Sequence, residues 1–426
     1  MKRREKSKLV LGLAVLMALT ATGAVSLTPT PGKPMAPGSA KAKPDKTTGG
    51  PVTQESSFIV LCYHRFVERP ETVKKPLNQY RFPMQDFRWQ MQFLKDNGIT
   101  PISMDQLKAY WFQGTPLPEK AVLLTFDDGF RSIYEKAYPA IKEFGYPGVL
   151  FLYSDFIRGQ SDSMKYSEIG EMQKNGFDLE SHTKRHLKLA LECEKRTPSD
   201  FAQLLDEELK DPIQFIMEKF NFRSKVIAYS YGSYNQEILE QTRKAGYQLA
   251  FTVNPGPNDR TVPPLQLKRN LILYPTKHEA FKRIFADKVL HLKNLVPDDG
   301  EVVWDKQPVI KAVILDDMNP KTLFFHLGDH PLAFFYNKKT HLLRHRIGAP
   351  LKSGGHMLTL EGLDLKGQRR VYTWYIRVKH RNLKKDTEEE TITHPFSPLA
   401  PKPNSVKEGS KINPAPGLQD AKETGI

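Results

Sequence analysis

The sharpest chemical signal in the chain is Thr125-Phe126-Asp127-Asp128-Gly129, which closes the apolar run AVLLTF. In α/β folds the loops at the carboxyl ends of buried strands open onto the reactive crevice. Two adjacent carboxylates there are costly as structure alone. Successive side chains diverge along a strand, so one Asp can face a metal ion while its neighbour faces a reacting water. A turn cornered by Asp128-Gly129, with Asp127 as a helix cap, would give the same letters. A second signal, Ser181-His182-Thr183-Lys184-Arg185-His186, follows FDLES. On a helical turn, His at i and i+4 point the same way and can offer two imidazoles to a divalent ion. The spacing alone is weak, because His326 with His330 and His341 with His345 repeat it in a region patterned as strands. The first pair differs in company: a carboxylate is available from another strand end. Asp plus two His leaves coordination positions open for water and substrate, the pattern of a catalytic site.

The elements that must position these groups are legible as runs. FIVLCY (58–63), AVLLTF (121–126), GVLFLY (148–153), FDLES (177–181), VIAYS (226–230) and LAFTV (249–253) are continuously apolar rather than alternating. Such runs suit parallel strands covered on both faces. Helical periods lie between them. Phe87, Met91 and Leu94 keep one that ends at Gly98, and Asn235 can cap another through Ile238, Leu239 and Thr242 to Gly246. Repeated strand-then-helix units imply an α/β barrel or a doubly wound sheet. From about residue 300 to 380 the pattern changes to short strands split by turn residues, with Tyr372, Trp374, Ile376 and Val378 alternating against their neighbours. That density of strands suggests a β-sandwich.

The chain has 426 residues with 32 Pro and 2 Cys, which excludes a disulfide scaffold and a single small binding module. Its net charge is +15, and the first 24 residues carry five Lys/Arg against one Glu, leaving +11 on the rest. A basic surface suits an anionic envelope or a polyanion. No aromatic-interleaved basic stripe or zinc-finger spacing is present, so nucleic acid is not an expected partner. Lys2, Arg3, Arg4, Lys6 and Lys8 precede an apolar run, Leu9 to Leu19, and small residues ending at Ala24. This predicts a secretory signal cleaved after Ala24, or the same segment (1–24) kept as a membrane anchor. Either places the body outside the cytoplasm: periplasmic, on the cell surface or secreted. Residues 25–56 read as a Pro/Gly/Lys-rich tether and 381–426 as a Pro-rich tail. Cys62 and Cys193 either pair in an oxidising compartment or stay as thiols.

Taken together, TFDDG, SHTKRH and Ala228-Tyr229-Ser230-Tyr231-Gly232-Ser233-Tyr234 resemble the leading motifs of the polysaccharide deacetylase family, the NodB homology domain of carbohydrate esterase family 4. LCYHRF and the stretches LNQYRFPMQDFRWQMQFLKDNGITPISMDQL and FRSIYEKAYPAIKEFGYPGVLFL resemble the branch acting on poly-N-acetylglucosamine. The resemblance implies a distorted (β/α) barrel over 57–295. It also implies a divalent metal, with zinc expected first and cobalt, nickel or iron as alternatives, and hydrolysis of N-acetyl groups on an amino-sugar polymer. By motif, Asp127 would be the general base and Asp128, His182 and His186 the metal ligands. The backbone N–H of Tyr231 would stabilise the oxyanion. His64, Tyr229 and Tyr234 are candidates for lining the sugar crevice, beside Trp89, Trp111 and Tyr153.

Two departures stand out. Ala228 occupies the position of an Arg that ordinarily orients the base, and Ser230 replaces a Pro. The family's late Leu-x-His, source of a general acid, has no clean match, leaving His278 and His291 as candidates. These departures motivate an alternative, a carbohydrate-binding or envelope-assembly protein on the same fold with impaired turnover. A metallo-amidase acting on another acyl group is a third reading. Residues 300–380 resemble bacterial immunoglobulin-like modules, with a role in polymer binding, spacing or docking. The sequence names neither the polymer nor the oligomeric state.

Overall fold

The computed structural model describes residues 56–69, 79–157, 159 and 162–379. The expected signal or anchor, all but the last residue of the 25–56 tether and the 381–426 tail lie outside them. The continuous apolar runs form an eight-stranded sheet. Its strands are β1 (Phe58–Tyr63), β2 (Thr100–Pro101), β3 (Ala121–Asp128), β4 (Gly148–Leu152), β5 (Phe177–Ser181), β6 (Val226–Ala228), β7 (Leu249–Phe251) and β8 (Asn270–Leu271). All neighbours run parallel, in the order β8-β1-β3-β4-β5-β6-β7 with β2 beside β3.

Strand periodicity divides the runs between two cores. Ile59, Leu61 and Tyr63 of β1, Val122, Leu124 and Phe126 of β3, and Leu150 and Leu152 of β4 pack with helix residues such as Phe87, Met91 and Leu94. The alternate residues Phe58, Val60, Leu123, Val149, Phe151, Val226, Ala228, Leu249 and Phe251 pack with one another on the other face. Cys62, His64, Thr125 and Asp127 continue this second register toward the carboxyl ends. The sheet curves without closing by strand pairing. Between β7 and β8 the chain returns through an isolated bridge, Phe251 with Leu267, and the last residue before β8 is the fully buried Arg269. A helix not anticipated from the sequence, Pro198–Phe220, starts at Thr197, whose hydroxyl accepts the Asp200 N–H at 3.2 Å.

A two-stranded parallel ribbon pairs Arg65–Val67 with Arg81–Pro83. The strands from Lys288 to Val378 form two sheets that share one apolar cluster containing Ile310, Ile314, Phe325, Leu343, Leu358, Leu360, Trp374 and Ile376. Lys288–Val289 and Leu292–Val296 already pair inside these sheets. Cys62 and Cys193 are both free, the first buried on β1.

The β region is joined to the parallel sheet through buried polar groups. Lys268, beside Arg269, contacts the Asp299 carboxylate at 2.7 Å, with both side chains almost fully buried. The other Asp299 oxygen accepts the Tyr234 hydroxyl and, at 2.9 Å, the Tyr375 N–H. Gln236 and Gln266 each donate to the Asp299 carbonyl at 3.0 Å. Removing one member of a buried ion pair strands its partner, a loss of about 3–5 kcal/mol. Asp299→Ala is therefore expected to lower unfolding free energy by that order in a denaturant titration. A loss near zero would show that this network does not hold the two parts together.

Candidate active site

The carboxyl ends of β1, β3 and β5 and the turn after β6 supply the polar groups of one crevice. TFDDG ends β3 in a tight reversal: the Gly129 N–H donates to the Asp127 carbonyl at 2.9 Å across Asp128, whose φ is 73°. Gly129 itself has φ 87°, and a Cβ there would sit 2.3 Å from Ile157 Cδ1, so any other residue is strained. The reversal turns Asp128 away from the strand alternation that governs Asp127.

The two histidines do not lie on a helical turn, as their spacing had suggested. They flank a loop in which Thr183 and His186 both have positive φ, 65° and 58°. Tertiary hydrogen bonds impose that shape. Buried Glu208, on Pro198–Phe220, accepts the N–H groups of Lys184 at 3.1 Å and Arg185 at 3.0 Å. Ser230 Oγ donates to the His182 carbonyl at 3.1 Å and lies 2.9 Å from Thr183 Oγ1. The Ser that replaces the family's Pro thus fastens this loop.

His182 Nδ1 lies 2.7 Å from the Ala228 carbonyl. That contact requires an Nδ1–H donor and leaves the Nε2 lone pair facing Asp128 Oδ1 at 3.5 Å. His186 Nε2 approaches the same oxygen at 3.3 Å. Burial drives both imidazoles below their ordinary pKa, with His182 and His64 adding to the effect on His186. They are held neutral, the form that ligates metal. One ligand atom each from Asp128, His182 and His186 lies within 4.8 Å of the others. Asp128 Oδ1 is buried without a hydrogen-bond partner. Burial and the adjacent Asp127 charge push the Asp128 carboxyl up to about 8. A carboxylate so placed lacks a cation, and the donor set fits a divalent metal.

Asp127 has the opposite environment. Burial opposes its charge, but the Arg269 guanidinium, by its charge and its hydrogen bond, is the chief influence that holds the carboxyl well below the usual range. Arg269 Nη1 donates to Oδ1 at 2.7 Å, while its Nε donates to the Thr252 carbonyl at 2.9 Å across the gap between β7 and β8. Cys62 Sγ donates to Oδ2 at 3.3 Å. The arginine missing from position 228 is therefore supplied by position 269. Sequence reading passed over it, although a charged KRN triplet set in the apolar context LQLKRNLIL was the available signal.

Comparison with known proteins places this geometry in context. The family profile described as polysaccharide deacetylase matches residues 114–250. The Bacillus subtilis (strain 168) protein YxkH, named as a polysaccharide deacetylase, is 30% identical over 219 residues, 51% of this chain and 72% of the relative. This chain belongs to the polysaccharide deacetylase family. It is a polysaccharide N-deacetylase, a hydrolase acting on linear amides. The poly-beta-1,6-N-acetyl-D-glucosamine N-deacetylase of Staphylococcus aureus (strain MRSA252) is 25% identical to it over 229 residues, 49% of this chain and 78% of the relative. Among solved structures, the Streptococcus pyogenes deacetylase PplD in complex with acetate aligns at a TM-score of 0.47 and 24% identity, over 55% of this chain and 99% of that one.

Other expected site residues of the deacetylase sit differently. Tyr231 is 40% exposed with φ 57°, and its ring lies 4.4 Å from that of His186, at the edge of the cluster. Tyr229 and Tyr234 do not line it: both are fully buried in the core beside Leu189, Leu205 and Ile238. Tyr234 is covered by Asp299 and Tyr375 of the β region, a burial that its local sequence does not reveal. Trp89 stacks on His278 at 3.5 Å, and Trp111 packs on Phe58. His278 stands outside the cluster, 48% exposed, facing Asp86. His64 instead joins Cys62 and Asp127, with donor atoms within 4.8 Å of one another.

His291 is engaged elsewhere, 2.9 Å from Asp259 and 2.9 Å from Asp316. Hydrogen bonds to Asp259 and then Asp316 raise its pKa to about 10. A folded-state value above the ordinary one means that its stabilisation is complete below about pH 6.5. It is lost as pH rises through about 10. His291→Gln is expected to cost about 1–3 kcal/mol in mildly acidic buffer. In denaturant melts that deficit should shrink steadily toward pH 10. A deficit independent of pH would show an uncharged His291.

Proposed function

We propose that the deacetylase is metal-dependent and removes N-acetyl groups from an N-acetylglucosamine polymer, an exopolysaccharide or capsule in preference to peptidoglycan. The observation that carries this reading is the pairing of two environments. Asp128 Oδ1 is orphaned between His182 and His186, while neighbouring Asp127 is held ionised by Arg269. Asp128, His182 and His186 would hold the ion, zinc by donor type, with cobalt, nickel or iron as alternatives. A bound ion of this kind acidifies a water and polarises the acetyl carbonyl.

Asp127 takes the proton of the attacking water, because Arg269 keeps it unprotonated and fixes its orientation. The Tyr231 N–H would stabilise the oxyanion formed as water adds to the acyl carbon, a role supported by the ring of Tyr231 lying beside that of His186. His64 replaces His278 and His291 as the acid that protonates the departing sugar amine. It is supported by its place beside Asp127 at the mouth of β1, whereas the other two face partners away from the cluster. The C–N bond breaks, releasing acetate and a free amine. The S. aureus relative supports the polymer choice. The basic, apolar first 24 residues support export, with cleavage after Ala24 or retention as an anchor. The paired sheets around Trp374 support an immunoglobulin-like sandwich, positioned to present polymer to the crevice or to space it from a surface.

Acetate release from acetylated glucosamine oligomers tests the reaction. It is expected to stop with chelator and return with zinc. Asp127→Asn should bind metal normally but lose about 10²–10⁴-fold in kcat, while His182→Ala should lose metal and turnover together. His64→Gln should fall by a similar factor with its first metal equivalent retained. Normal turnover in Asp127→Asn would remove the base assignment, normal turnover in His64→Gln the acid, and chelator-resistant release the metal dependence.

A further inference from the structure

The inner register of the sheet carries a second cluster of donor atoms, in which a cysteine that the reaction does not require joins the proposed base and acid. Cys62 and His64 are two residues apart on and just beyond β1, so they face the same side. The pairing of Cys62 with Thr125 and Tyr63 with Phe126 brings His64 level with Asp127 on β3. The result is sulfur, imidazole nitrogen and carboxylate oxygen within 4.8 Å of one another. Cys62 Sγ and Asp127 Oδ2 are 3.3 Å apart.

We propose that Cys62, His64 and Asp127 form a second divalent-cation site, selective for thiophilic ions such as zinc or cadmium, whose occupation silences the enzyme. An ion there takes the place of the Cys62 thiol proton, which leaves to buffer. The donor set excludes magnesium and calcium, which take oxygen ligands, and favours ions that accept sulfur and nitrogen. Three protein donors leave room for a water. Two features rank this site below the Asp128 centre in affinity. The Arg269 guanidinium, 2.7 Å from Asp127 Oδ1, repels a cation, and Cys62 is wholly buried. The second site therefore fills only when metal exceeds one equivalent. Silencing rests on the reading under Proposed function: the ion would occupy the base Asp127 and the acid His64 together. Inhibition by excess zinc would then depend on a cysteine that takes no part in turnover.

Cadmium reports the site directly, because thiolate ligation gives a near-ultraviolet charge-transfer band and the Asp128 centre contains no sulfur. The full chain, with Cys193→Ser as background to remove the other thiol, is freed of metal and titrated with cadmium. The first equivalent is expected to bind without the band, and the second to bring it to saturation. Cys62→Ser and Cys62→Ala should bind the first equivalent, which certifies their fold, and lack the band. With zinc, acetate release should fall beyond one equivalent in the background protein, and each Cys62 variant, normalised to its own maximum, should need at least tenfold more zinc. A stoichiometry of one with no band in the background protein overturns the proposal without recourse to any variant. A band that persists in Cys62→Ser overturns it as well. Stoichiometry and absorbance do not depend on turnover, so a second thiolate-bound cadmium in a protein that releases no acetate would overturn the functional reading and leave the site standing.

Discussion

The contact between Arg269 and Asp127 is the constraint on which the rest of the molecule turns. A guanidinium and a carboxylate, both fully buried, are tolerated only when each remaining lone pair and N–H is well placed. Here the demand is met in part, and across a seam: Nε and Nη1 are paired, while Nη2 is buried without a hydrogen-bond partner. Arg269 reaches from the threshold of β8 to a carbonyl just beyond β7 and to the end of β3, so one side chain ties together strands that do not pair. Geometry at Asp127 and the tying of β3 to the two end strands of the sheet are one problem with one solution. The strands must end in register for that reach to succeed, and the parallel pairing of β1 with β3 and of β3 with β4 ensures it.

The same residue marks where the sequence stops being legible. The strands could be read because continuous apolar runs have few alternatives, and TFDDG because two adjacent carboxylates at the end of a buried run are costly as structure alone. Asp128, His182 and His186 followed from residue type. Their backbone shape did not: left-handed conformations at Thr183 and His186 come from Glu208 and Ser230, which are distant in the chain, and no local propensity encodes them. Arg269 lies 142 residues from its partner. The aromatic residues misled for a related reason. Tyr229 and Tyr234 sit beside a site residue in sequence, yet whether a tyrosine faces solvent or core depends on what covers it, and part of the cover comes from the β region.

That β region is tied in as deeply as the strands themselves. Lys268, adjacent to Arg269, is neutralised by Asp299, and Arg377 reaches Glu194 at 2.6 Å on the helix that follows the histidine loop. The C-terminal sheets therefore brace two of the segments that shape the crevice. A fold-level reading as barrel plus appendage understates the mechanical unity of the chain.

Glu208 has a consequence of another kind. By holding the Lys184 and Arg185 amides it fixes the histidine loop through protein contacts alone, so the conformational entropy of ordering that loop is spent during folding. Metal capture then resembles a key entering a cut lock rather than a hand closing on a ball. Under the proposed metal dependence, such a site would stand ready before its ion arrives, and the chain would become competent on first meeting it.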